Sequence, residues 1–135
     1  MRLKQFLPAI IWFIISSILL AMPGDDLPDT SLFDIPFFDK FIHLGMFFLL
    51  TFLFCYPYSL YNSFSVWKFT AYKIAISAIA YGIGMEYVQK HFVAGRSFDL
   101  VDILFDSLGC GSGVAGIWIF QKKIGPDRNR GRNQN

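Results

Sequence analysis

The sequence predicts an all-α fold: a polytopic membrane protein, a compact four-helix bundle with both termini in the cytoplasm. Three observations carry this. Apolar residues make up 54% and charged residues only 16% of 135 residues, whereas soluble domains carry about a quarter charged. Charge-free runs recur at lengths that suit a hydrocarbon core of about 30 Å, which needs roughly 20 residues of helix. The charges between those runs sort by sign. The length admits one domain and leaves little for a soluble appendage.

The elements follow in order. Residues 5–24 hold no charge, giving a first span over about 6–22. That run is long for a signal peptide, and Ala21-Met22-Pro23 is no small-x-small cleavage site, so it reads as retained. Residues 41–67 are again charge-free. Pro57 and Asn62 predict that the second span, 38–56, ends near Tyr56. A third span, 70–90, surrounds the charge-free run 74–85, and Lys73 can snorkel from it to the interface. A fourth, 101–121, is apolar across 103–119 except for Asp106. Residues 122–135 read as a basic cytoplasmic tail without order. Tyr56, Tyr58, Tyr61 and Trp67 cluster as an interfacial belt would. Gly109, Gly113, Ser112 and Gly116 give the fourth helix a small-residue packing face, with Ala78 and Gly82 on the third helix as the expected partner.

Sidedness comes from the basic residues. The N-terminus, the loop after the second span and the tail hold nine of twelve Lys and Arg. The other two connections hold nine of ten acids and only Lys40, Lys90 and Arg96 as bases. Basic loops stay in the cytoplasm, so the acidic connections face outward. Among these acids are Asp25, Asp26, Asp29 and Asp34 of the first connection. Cys55 and Cys110 fall at different depths, so no disulfide joins them. The short basic tail is a topology determinant, and no nucleic-acid partner is expected.

On that topology the polar residues converge. Asp39, Lys40 and His43 open the second helix. Glu86 and Gln89 close the third. Arg96 and Asp99 lie in the connection, and Asp102 and Asp106 open the fourth. All reach the outer membrane–water boundary. Ionisable residues inside spans are costly, face the bundle interior and mark a functional site by default. Helix capping explains Asp39 and Asp102. It does not explain Glu86 near a helix C-terminus, where the dipole disfavours an anion. Arg96 is the expected partner of a carboxylate, with Lys40 second. A metal set from His43, Asp39, Glu86 and Asp106 is conceivable. Without HExxH or a second embedded His, no metal and no cofactor are expected. Ser97 lies near Asp99, but no nucleophile motif marks it.

At these residues the chain resembles the VanZ-like family. The matching pieces are Asp39-Lys40-x-x-His43, Glu86-x-x-Gln89, and Arg96-x-x-Asp99-x-x-Asp102 leading into a span with Gly109 and Gly113. They cover about residues 38–116. The family pattern usually has Asn where Asp106 stands, so this chain adds an acid. The resemblance implies a VanZ-like membrane domain over 1–121 in a bacterial cytoplasmic (inner) membrane. The family's namesake is linked to low-level teicoplanin resistance, an envelope effect, and the resemblance supplies no reaction.

Beside a purely structural role, as an assembly partner through the small face of the fourth helix, two functions are open from sequence. One is recognition of an envelope component, a lipid-linked or anionic headgroup held by Arg96 and Lys40. The other is an enzyme acting on such a lipid, with His43 or Glu86 as acid or base. A proton- or ion-coupled transport subunit fits less well, because the inner halves of the spans carry almost no ionisable groups. The bilayer itself is the expected partner.

Overall fold

A computed structural model describes residues 3–23, 37–61 and 64–132, with side chains described for 3–23, 37–61 and 67–123. Arg2, Asn62 and the acids Asp25, Asp26, Asp29 and Asp34 lie outside the described residues. A 3-10 turn, Leu3–Phe6, leads into α1, Leu7–Leu20. Then come α2, Phe38–Tyr61, α3, Phe64–Phe92, and α4, Leu100–Arg132. No strand occurs among the described residues.

Local chemistry explains most of the boundaries. Pro8 sits in the first turn of α1, where a missing N–H leaves no intrahelical bond unmade. α3 ends in a turn in which Gly95 takes φ 72°, the left-handed conformation that glycine adopts without penalty. Asp99 caps α4: its Oδ1 accepts the Val101 N–H at 2.8 Å.

Two boundaries differ from the sequence reading. α2 does not stop near Tyr56 but runs through Pro57 to Tyr61. Pro57 is buried, and neighbouring polar groups serve the backbone around it: Ser59 Oγ donates to Tyr56 O at 2.8 Å, and Gln121 on α4 donates to Ser59 O. Membrane helices tolerate proline on such terms. α4 also continues to Arg132, well into the segment expected to lack order. Gln121, Lys122 and Lys123 are straight-chain helix formers that carry it onward.

The helices run alternately. Gln5 donates to the Tyr61 hydroxyl, joining the start of α1 to the end of α2. Gln89 Nε2 donates to Leu20 O at 2.7 Å, joining the end of α1 to the end of α3. α2 and α4 therefore run parallel, and they form the most intimate pair. Glycines explain that intimacy. A Cβ on Gly109 would sit 2.4 Å from Leu44 O, and one on Gly113 2.8 Å from Phe48 O. The small face of α4 thus packs on α2, not on α3 as the sequence suggested. Gly116 approaches Phe48 and Phe52. Ser112 does not belong to the packed face. It is exposed and returns its hydroxyl to its own helix at Leu108 O.

Leu20, Met46, Phe47, Leu50, Trp67 and Ile117 fill an apolar core, yet the exterior is apolar too and polar groups are buried beside the core. Ile10, Ile14 and Ile18 of α1 and Leu104, Leu108 and Ile119 of α4 point outward. His43, Thr51, Glu86, Gln89, Asp102 and Asp106 are buried. Three helical stretches are long and apolar enough to cross a membrane: Leu3–Leu20, Phe38–Tyr61 and Leu100–Lys123. At 1.5 Å per residue, the 24 residues of α2 reach about 36 Å. α3 is longer, but Lys68, Lys73, Glu86 and Lys90 dilute its apolar content. Both cysteines are free and buried.

Candidate functional site

The polar groups gather where α2 and α4 begin and α3 ends. Lys40, in the first turn of α2, meets three carboxylates. Its Nζ lies 3.0 Å from Asp39 Oδ2, 2.6 Å from Asp99 Oδ2 and 2.7 Å from Asp102 Oδ1. One turn further along α2, His43 Nδ1 meets Asp106 Oδ1 of α4 at 3.0 Å. A carboxylate can only accept, so Nδ1 carries the proton in this pair. Glu86 Oε2 accepts the backbone N–H of Asp99 at 2.8 Å, which ties α3 to the cap of α4.

Asp99 is the junction. Its Oδ1 caps α4, its Oδ2 pairs with Lys40 on α2, and its N–H reaches Glu86 on α3. The Lys40 ammonium holds the Asp99 carboxyl below the usual carboxylate range, and the Val101 N–H adds to this.

Burial sets the energetic scale. Glu86 is 1% exposed, Asp106 2%, His43 5% and Asp102 6%. Burying an ion carries a penalty of several kcal/mol, which only good pairing offsets. His43 and Lys40 each meet that need locally. Glu86 does not, for no Lys, Arg or His lies within ion-pair distance of it among the described residues. One ring nitrogen of His43, one oxygen of Glu86 and one of Asp102 lie within 4.8 Å of one another. Asp106 fits because residue 82 is glycine: a Cβ there would lie 2.7 Å from Asp106 Oδ2.

The residues singled out from sequence thus separate. Asp39, Lys40, His43, Glu86, Asp99, Asp102 and Asp106 come together. Gln89 stands apart, holding the end of α1. Arg96 makes no ion pair among the described residues; its Nε is buried without a hydrogen-bond partner, and Lys40 takes the role expected of it. Asp39 and Asp102 lie in the first turns of α2 and α4, where an acid suits the helix dipole, while the side-chain cap on α4 comes from Asp99. Gly82, read as a packing residue, packs closely on Phe47 of α2 and also makes room for Asp106. Its place four residues before Glu86, on the same helix face, was the available signal.

An apolar exterior around a buried ionisable cluster at one end of the bundle defines a helical membrane protein with a polar terminal site. The chain belongs to the VanZ/LLP1 family, whose model matches residues 4–121. It is also similar to an uncharacterised protein of Schizosaccharomyces pombe, 37% identical over 76 residues. That match covers 56% of this chain and 44% of the yeast protein, so it spans less than half of the relative's length. No solved structure matches.

Proposed function

We propose that this protein is a four-span membrane protein whose polar site faces the outer side and recognises the headgroup of an envelope lipid, phosphate or carboxylate in character. The observation that carries the reading is the convergence of buried ionisable groups from α2, α3 and α4 at one end of the bundle. Such groups inside spans mark functional sites by default. Lys40 is held by three carboxylates and serves to clamp α2 to α4. Arg96, with a buried Nε that makes no hydrogen bond, is the cation left to meet an anionic headgroup.

α3 is the fourth span in this reading. Its exposed face carries Phe69, Tyr72, Ile76, Ile83 and Tyr87 at helical spacing, which suits contact with lipid. In the same reading the basic loops stay inside, so both termini are cytoplasmic and the site is outside, and the membrane is a bacterial inner membrane. If the headgroup belongs to a cell-wall precursor, expression in a sensitive strain raises the inhibitory concentration of teicoplanin.

The test uses the full chain in detergent micelles. Native mass spectrometry compares retention of phosphatidylglycerol, a polyprenyl phosphate and phosphatidylcholine. Selective retention of an anionic lipid, lost in Arg96→Gln, supports the proposal. Equal retention of all three, unchanged by the substitution, overturns it.

The His43–Asp106 pair beside Glu86 favours a second reading, an enzyme acting on that lipid. In it, His43→Gln abolishes turnover and leaves binding nearly intact. Equal loss of both counts against catalysis.

A further inference from the structure

The cluster carries more carboxylates than its cations can match. Lys40 is committed to Asp39, Asp99 and Asp102, and His43 to Asp106. Glu86 Oε2 takes one backbone N–H, and its Oε1 accepts no hydrogen bond among the described residues. Asp102 Oδ1 is buried, and it also accepts no aligned hydrogen bond despite its ion-pair contact with Lys40. Two carboxylates more than nine-tenths buried therefore have unused acceptor capacity. Both lie within 4.8 Å of a His43 ring nitrogen.

We infer that His43, Glu86 and Asp102 form a binding site for one divalent transition-metal ion. The donor set is one imidazole nitrogen and two carboxylate oxygens from three different helices. Imidazole favours Zn2+ over the hard cations Ca2+, Mg2+ and Mn2+. Three protein ligands leave a coordination position open, as in metal sites that bind a further ligand. Bonds of about 2.0–2.2 Å put neighbouring ligand atoms roughly 3.3 Å apart, so the side chains close by no more than about 1.5 Å on binding. Asp106 behind His43 is the orienting carboxylate such sites use. The ligands differ from the set conceivable from sequence: Asp39 turns to Lys40, Asp106 lies in the outer shell, and Asp102 replaces both. The inference goes beyond headgroup recognition and stands without it.

The experiment uses the full chain, purified in detergent, stripped with chelator and dialysed against Zn2+ alone. One ion per chain is expected. Glu86→Gln and Asp102→Asn, each checked for folding by gel filtration and thermal unfolding, weaken binding by at least roughly tenfold. Asp106→Asn weakens it by about 10–100-fold, as loss of an orienting carboxylate does. His91→Gln, at an exposed histidine in the last turn of α3, leaves it unchanged. If the triad variants fail to fold, the wild-type chain loaded with Co2+ decides: a ligand-field spectrum of nitrogen and oxygen coordination at one equivalent supports the site. Absence of stoichiometric binding overturns the inference, as does binding that His91→Gln abolishes while the triad variants retain it.

Discussion

Replacing Gly109 by Ala brings a methyl group to 2.4 Å from Leu44 O and 3.0 Å from Phe48 N. Both are backbone atoms of α2 and cannot rotate away. Carbon–oxygen contacts settle at about 3.3–3.6 Å, so α4 must retreat by about 1 Å. A radial gap of 0.5–1 Å forfeits a quarter to a half of each dispersion contact, and dispersion is what holds helices together in lipid. Forced overpacking of this kind costs typically 1–3 kcal/mol. It opposes a gain of about 1 kcal/mol from replacing helical glycine by alanine. Gly111, two residues along, has nothing within 4 Å of its Cβ position, so Gly111→Ala keeps the gain alone. The two variants should shift the thermal unfolding midpoint in detergent in opposite directions, Gly109→Ala downward and Gly111→Ala upward. A Gly109→Ala protein as stable as Gly111→Ala would refute the packing argument.

Other predictions follow from the same contacts. Lys40→Met leaves Asp102 buried without its cation; breaking a buried pair costs about 3–5 kcal/mol, so this variant should be the least stable of the set in detergent unfolding. Gln89→Leu strips the Leu20 carbonyl of its donor, at a cost of about 1–3 kcal/mol, and should raise proteolysis at the end of α1. Trp12→Phe removes the hydrogen bond from Nε1 to Met46 O, 3.0 Å long, and should destabilise by about 1 kcal/mol in the same assay. In liposomes, the wild-type chain should conduct no more protons than Asp106→Asn; flux that disappears in the variant would restore the transport reading.

The four helices were legible in the sequence because charge-free runs and the bilayer thickness fix them together. The end of α2 was misread because a proline rule from soluble helices was applied where Ser59 and Gln121 serve the nearby backbone. The assembly of Lys40, His43, Glu86, Asp102 and Asp106 followed from helix direction alone, since α2 and α4 begin and the opposed α3 ends at the same end of the bundle. Their pairing did not follow. Arg96 and Lys40 both sit within reach of the acids in sequence, and only the backbone position of Asp99, set by its cap on α4 and its N–H bond to Glu86, brings Lys40 rather than Arg96 against them. The partner of the glycine row was equally hidden, because Ala78 and Gly82 offer a small face on α3 that resembles a match.

The central claim, an ionisable site open to the outer side of the membrane, is tested most directly by labelling. Ser97 is exposed in the connection beside Asp99. With Cys55→Ala and Cys110→Ala as background, Ser97→Cys is treated in intact cells with a membrane-impermeant maleimide. Labelling without lysis is predicted. Labelling only after lysis would contradict the account and place the cluster on the cytoplasmic side.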